Sequence, residues 1–178
     1  REMGRKLSGS DGSEFPPIEV QGSHLSAITY EMPIASAQVK SAILFAALQA
    51  EGETTIIEKE NSRNHTVEMI KQFGGKIVVE DKKITVPGRQ QLIGQEVTVP
   101  GDISSAAFYL VAASLLPNSN LRLNHVGVNP TRTGILDVLT EMGANIQQLA
   151  YDPQNQAADL LLQSAVLKAT TIGGEIIP

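Results

Sequence analysis

The chain of 178 residues has no cysteine and no tryptophan, and its aromatic content is only 4%. Without cysteine there are no disulfides and no thiolate metal sites. With so few aromatics, the core must be built from aliphatic and small side chains. The three histidines, His24, His65 and His125, lack ligand spacing, which argues against a structural zinc site. The longest apolar runs, near 42–48 and 106–116, are too short to cross a bilayer. Positive charge is scarce as well. A net charge of −5 disfavours broad nucleic-acid or membrane binding, because both draw affinity from a basic face. A small anion remains compatible, since one arginine and a helix N-terminus suffice to hold it. No secretory segment is visible, so the Asn64-His65-Thr66 sequon carries no weight and a cytoplasmic location is expected.

What the chain does have is a repeat of about 70 residues. Ser36-Ala37-Gln38-Val39-Lys40-Ser41-Ala42 opens one apolar run, and Ser104-Ser105-Ala106-Ala107-Phe108-Tyr109-Leu110 opens its copy. Ser62-Arg63 precedes Met69-Ile70-Lys71-Gln72-Phe73-Gly74-Gly75, as Thr131-Arg132 precedes Val138-Leu139-Thr140-Glu141-Met142-Gly143-Ala144. Met3-Gly4-Arg5-Lys6-Leu7 matches the tail of a further copy. The chain is therefore expected to be an internal piece of a longer protein.

Each repeat has the pattern β-α-β-α-β-β. In the better-marked copy, the spacing predicts a helix over 36–49, a strand over 54–58 and a second helix over 64–73 stopped by Gly74. A hairpin follows, with 77–80 and 84–86 flanking the turn at Asp81-Lys82-Lys83. In the next copy the strand is 121–123, the helix 132–142, and the paired strands 144–149 and 159–163. The helices over 36–49 and 104–116 are apolar on nearly every side, Lys40 and Gln49 excepted, which predicts buried helices with sheets outside them. Their uncovered apolar surface is expected to promote self-association of the chain. Proline and glycine bracket 87–101, marking a domain crossover with a short strand over 95–99. Residues 166–178 are weakly organised, in the manner of a strand leading towards a helix.

Chemistry concentrates at Pro33 to Ser41. Ser36 occupies an N-cap position, where a hydroxyl, free backbone N–H groups and the helix dipole together suit a phosphate. Gln38 adds a neutral donor and acceptor. Simple capping by Ser36 with a solvated Gln38 fits the same residues. Arg63, just before the next helix, offers two-point contact to a phosphate or carboxylate, or else is solvated. His65 is a candidate general base, because an unperturbed imidazole titrates near neutrality, but no partner carboxylate can be assigned. In the other copy, Asp102 caps the helix and places a carboxylate where an anion would dock, near Ser104, Ser105 and Arg132. The polar stretch Asn129-Pro130-Thr131-Arg132-Thr133-Gly134 is weakly specific. Glu58, Glu60, Glu80 and Asp81 are expected as solvated charges near surface strands.

Pro33-Ile34-Ala35-Ser36-Ala37-Gln38-Val39-Lys40-Ser41-Ala42, Leu48-Gln49-Ala50-Glu51-Gly52, Ser62-Arg63-Asn64-His65-Thr66 and Pro100-Gly101-Asp102-Ile103-Ser104-Ser105-Ala106-Ala107-Phe108 resemble the EPSP synthase (3-phosphoshikimate 1-carboxyvinyltransferase) family. Asn129-Pro130-Thr131-Arg132-Thr133-Gly134 and Met142-Gly143-Ala144 fit it in the same order. The Ser-Ala-Gln triplet with Ser62-Arg63 is similar to the subgroup of Gram-positive and some glyphosate-tolerant bacteria. The resemblance implies an α/β fold of two domains, each of three β-α-β-α-β-β units, with substrates in the cleft between them. Residues 1–94 would close the first domain and 95–178 would belong to the second.

It also implies transfer of the enolpyruvyl group of phosphoenolpyruvate to the 5-hydroxyl of shikimate 3-phosphate, in the shikimate pathway, with neither metal nor organic cofactor. Ser36 and Arg63 match family residues on the shikimate phosphate, and Gln38 matches the glutamine that reaches shikimate 3-phosphate and lies beside phosphoenolpyruvate. Ala37 replaces a second serine, leaving only its backbone to contribute. Glyphosate is the implied inhibitor, and the full-length enzyme is expected to be a monomer. The family's proton-transfer residues match no position here, so these 178 residues are expected to be inactive alone. The alternatives are the sister transferase acting on UDP-N-acetylglucosamine and a non-catalytic α/β binding module.

Overall fold

The computed structural model describes residues 2–4, 6–12 and 15–173. Arg5 of the partial repeat and the end of the 166–178 segment, from Gly174 onward, lie outside the described residues. The chain divides into two compact units, Arg1–Gln95 and Glu96–Pro178.

The first unit opens with an antiparallel hairpin, β1 (Lys6–Gly9) against β2 (Ile18–Gln21). One complete β-α-β-α-β-β unit follows: β3 (Thr29–Glu31), α1 (Ala37–Ala47), β4 (Glu53–Ile57), α2 (His65–Gln72), β5 (Val78–Glu80) and β6 (Lys83–Pro87). Its sheet has the order β3-β4-β6-β5, with β3 parallel to β4 and the other pairs antiparallel. Alternation along the strands sends Thr54 and Ile56 of β4 and Ile84 and Val86 of β6 to the inner face. Leu44 and Ala47 of α1 and Val67 and Ile70 of α2 close over them. Burying each large aliphatic side chain stabilises the unit by about 1.5–3 kcal/mol.

The second unit contains α3 (Ile103–Leu115), β7 (Asn120–Gly127), α4 (Gly134–Glu141), β8 (Asn145–Asp152) and β9 (Ala157–Gln163). Its antiparallel sheet runs β7-β9-β8. Ile103, Ala106, Leu110 and Ala113 recur along one side of α3 and pack on Val126, Leu160 and Leu162.

The repeat is most exact where the second helix of each unit ends. Gly74 (φ +80°) and Gly143 (φ +88°) are left-handed. Gly74 N donates to Lys71 O at 2.9 Å and Gly75 N to Ile70 O at 2.8 Å. Gly143 N donates to Thr140 O and Ala144 N to Leu139 O, both at 2.9 Å. These are the paired closing bonds that satisfy the last carbonyls of a helix.

Two expectations change. Residues 95–99 form no strand: only Gly101 bridges to Val126, and Val99 is exposed. Alternating β-branched residues do not make a strand without an adjacent partner. The helix expected from 132 begins at Gly134, which leaves Arg132 ahead of the N-cap Thr133. Within each unit one sheet covers one side of α1 or α3, and the uncovered apolar surface expected from the sequence is present. Phe45 on α1, and Phe108, Tyr109 and Leu115 on α3, are exposed.

Candidate functional site

The mouth of α1 is built by Ser36. Its backbone is extended (φ −136°, ψ 108°), and its Oγ accepts from Val39 N at 3.4 Å, which makes it the N-cap. The same hydroxyl donates to Gln38 Oε1 at 3.4 Å. The first turn of an α-helix leaves amides with no carbonyl partner inside the helix, and they carry the positive end of its dipole. No acidic residue lies in the first turn of α1. Ser36 and Ala37 are half-buried and Gln38 is exposed.

Beside this mouth runs the segment joining β4 to α2. Lys40, one turn into α1, is 1% exposed and forms an ion pair with Glu58, itself 6% exposed; Nζ lies 3.0 Å from Oε1 and 3.1 Å from Oε2. Lys40 Nζ also donates to Ser62 O at 3.1 Å. Glu58 Oε1 accepts from Ser62 N at 3.2 Å and Ser62 Oγ at 2.6 Å. Four residues beyond Ser62, Thr66 shares a hydroxyl–hydroxyl hydrogen bond of 2.7 Å with Ser41. The segment is thus fastened at both ends to consecutive residues of α1. Arg63 lies between the two fastenings and is exposed. Among the described residues it enters no ion pair.

The second unit shows the same mouth filled. Asp102 caps α3, accepting from Ser105 N at 3.0 Å and Ser105 Oγ at 3.2 Å. Arg132 approaches Asp102 Oδ1 at 2.9 Å and donates to Ser104 Oγ at 2.7 Å. The Ser105 amide bond first, then the Ser104 amide, the Ser105 hydroxyl and the Arg132 charge, hold the Asp102 carboxyl below its ordinary value against a smaller opposing effect of burial. Arg63 and Arg132 occupy equivalent places, each directly before the N-cap of its unit's second helix (Asn64 and Thr133). One arginine holds an internal carboxylate at a helix mouth. The other stands beside a mouth capped by a neutral serine.

Ser36, Ala37 and Gln38 therefore share one helix end, with Arg63 on the segment clipped alongside; the Ser36 hydroxyl bonds to Val39 N and Gln38 Oε1. His65 is the first residue of α2. Asn129 is a structural residue: buried, its Oδ1 accepts from Thr131 N at 2.9 Å and Thr131 Oγ1 at 2.6 Å, shaping the turn that presents Arg132. Glu60 is exposed and pairs with Lys82, and Glu80 and Asp81 are exposed.

Glu58 corrects the sequence reading, which placed it among solvated charges. The signal was present in the strand period: Thr54 and Ile56 point inward, and Glu58 continues the same parity into the core. Its partner was the one charged residue on an apolar helix. Among the described residues no cluster of histidine, aspartate and glutamate is suited to a metal ion, and no helix is long and apolar enough to cross a membrane.

Repeated β-α-β-α-β-β units of this kind, with small-residue helices laid on their sheets, define the enolpyruvyl transferase class of α/β proteins. A model of the EPSP synthase (3-phosphoshikimate 1-carboxyvinyltransferase) family matches residues 1–172. The chain belongs to that family. It is 56% identical over 178 residues to the 3-phosphoshikimate 1-carboxyvinyltransferase of Enterococcus faecalis, covering 99% of this chain and 42% of the relative. It is 55% identical over 179 residues to that of Streptococcus pyogenes, covering 100% of this chain and 42% of the relative. A solved structure of EPSP synthase from Acinetobacter baumannii superimposes with a TM-score of 0.90 at 38% identity, over 99% of this chain and 41% of that one. The chain spans about two fifths of the length of these relatives.

Proposed function

We propose that this chain supplies the phosphate-holding part of an EPSP synthase, which transfers the enolpyruvyl group of phosphoenolpyruvate to the 5-hydroxyl of shikimate 3-phosphate and releases phosphate. The observation that carries this reading is the contrast between the two helix mouths. In the second unit an arginine ahead of the second helix meets a carboxylate at the mouth of the first. In the first unit the mouth has a neutral cap and no acidic residue, while the equivalent Arg63 enters no ion pair among the described residues. A phosphate would complete the same arrangement with charge-assisted hydrogen bonds.

In this reading Ser36 donates its hydroxyl to the shikimate phosphate, and the first-turn amides, including that of Ala37, add to it. Arg63 neutralises and orients the group from the side. Gln38, one residue beyond Ala37 and free of net charge, reaches shikimate 3-phosphate beside phosphoenolpyruvate. These groups bind and align; none moves a proton. Residues 1–94 belong to the first domain of the full enzyme and 95–178 to the second. Glyphosate would act as an inhibitor of the full-length enzyme, a monomer, whereas this chain self-associates through its exposed apolar helix faces.

Calorimetric titration of the chain with shikimate 3-phosphate tests the site. Weak saturable binding is expected, lowered about tenfold or more by Arg63→Ala and several-fold by Ser36→Ala, in keeping with the loss of a charged and a neutral hydrogen bond. Equal affinity in wild type and Arg63→Ala would refute the assignment. Product formation by the purified chain would refute the statement that it only binds.

A further inference from the structure

We propose that Lys40 and Glu58 are positioning residues that act through Ser62 to hold Arg63 beside the mouth of α1. The inference rests on the reading of that mouth as a phosphate site, and goes beyond it by naming what aims the arginine.

A buried ion pair is poor evidence for stability as such, because apolar residues of similar volume often serve as well. This pair does something an apolar pair cannot do. The ammonium of Lys40 has three donors, and three acceptors surround it: both oxygens of Glu58 and the carbonyl of Ser62. Glu58 in turn takes the amide and the hydroxyl of Ser62. Every polar atom of Ser62 is therefore engaged by the pair: N at 3.2 Å, Oγ at 2.6 Å and O at 3.1 Å. That fixes the peptide planes on both sides of the residue immediately before Arg63. The Ser41–Thr66 bond fixes the far end, three residues past Arg63.

Lys40 and Ser41 are adjacent on α1, and a helix rises 1.5 Å per residue, so Lys40 sits about 6 Å along the axis from Ser36. The backbone of residues 63–65 is thereby held next to the first turn. The Arg63 side chain is in no ion pair among the described residues, so its direction is set through its backbone. Lys40 cannot itself neutralise a ligand: its charge is matched by Glu58 and it is sealed from solvent. Its role is indirect.

A double-mutant cycle between Glu58→Gln and Arg63→Ala, read as affinity for shikimate 3-phosphate, tests this. Glu58→Gln should weaken binding about tenfold in the wild-type background and less than about twofold when Arg63 is already alanine. Equal weakening in both backgrounds would overturn the proposal, because it would show a merely structural effect. So would unchanged affinity in Glu58→Gln while Arg63→Ala binds poorly. If Arg63→Ala binds like wild type, or wild type does not bind, the phosphate site itself is wrong and this inference falls with it. Hydrogen exchange gives a readout independent of ligand: the Ser62 amide, which donates to Glu58, should exchange faster in Glu58→Gln and in Ser62→Ala, and at the wild-type rate in Arg63→Ala. Unchanged exchange in Ser62→Ala, a milder change that spares the buried pair, would overturn the proposal even if Glu58→Gln does not fold.

Discussion

Arg132 reaches back across its unit to Asp102, 2.9 Å away, and the same guanidinium nitrogen lies 2.7 Å from Ser104 Oγ. The carboxylate thus lies where a helix mouth and an arginine both favour negative charge. Replacing it by a neutral cap should open the place to a free anion. Asp102→Ser is expected to create a new phosphate site of roughly millimolar affinity, seen as shifts of the Ile103, Ser104 and Ser105 amides during a phosphate titration. No shift at those amides would mean that Arg132 turns away once its partner is gone.

Lys40 and Glu58 carry opposite charges in the core of the first unit. Removing one charge leaves the other without compensation, so Lys40→Met should destabilise the unit by about 3–5 kcal/mol. The double change Lys40→Met with Glu58→Leu should recover part of that loss, since it removes the lone charge but leaves the polar atoms of Ser62 without these partners. Urea unfolding of the three proteins measures it. A double variant no better than the single would point to packing rather than charge.

Acid should act through the second unit. The carboxyls of Asp102 and Asp159 are held below their ordinary value of 3.8, Asp102 chiefly by the Ser105 amide and Asp159 chiefly by the Arg122 side chain. A folded-state pKa below the unfolded one gives stability that is present above the unfolded value and lost as pH falls through the folded value. Unfolding followed between pH 5 and 2 should show this loss beginning near pH 4. Asp159→Asn should be less stable than wild type at neutral pH and should show a shallower acid slope.

The glycines that end α2 and α4 adopt positive φ, where a Cβ is strained. Gly74→Ala and Gly143→Ala should each cost about 1–2 kcal/mol. Gly74→Asn should cost less, because asparagine tolerates this conformation. Thermal unfolding of the single variants decides it; a stabilised alanine variant would be inconsistent with the left-handed cap.

Along the outer side of α3, Phe108 is 79% exposed, with Tyr109 and Leu115 beside it. Such a patch favours association. Sedimentation of the chain should show concentration-dependent oligomers, and Phe108→Asp with Leu115→Asp should shift it towards monomer. Identical sedimentation of the variant would place the contact elsewhere.

Local signals in the sequence were strong where one residue decides the outcome. Ser36 caps α1 because its hydroxyl meets a first-turn amide. Gly74 ends α2 because it can turn left-handed. The Asp81 turn joins β5 to β6 as its polar, strand-flanked composition indicates. Pairwise features were harder to see. Gln95 to Val99 alternates like a strand, yet among the described residues no neighbour pairs with it. The Lys40–Glu58 contact joins residues from a helix and the end of a strand, and only the folded sheet brings them together. Ser36 and Arg63 stand out in the sequence as a cap and a charge, but the clips at Ser62 and Thr66 that hold the intervening segment against α1 depend on that same packing.

Ser62 and Thr66 are both secured to α1 before any ligand arrives. Freezing a residue's backbone costs about 1–2 kcal/mol in entropy. For residues 63–65 that loss is incurred once, as the unit folds, and not again at every encounter. At the site proposed above, an anion docking at the helix end would need to restrain little more than one long side chain, which would leave more of its attraction to appear as affinity.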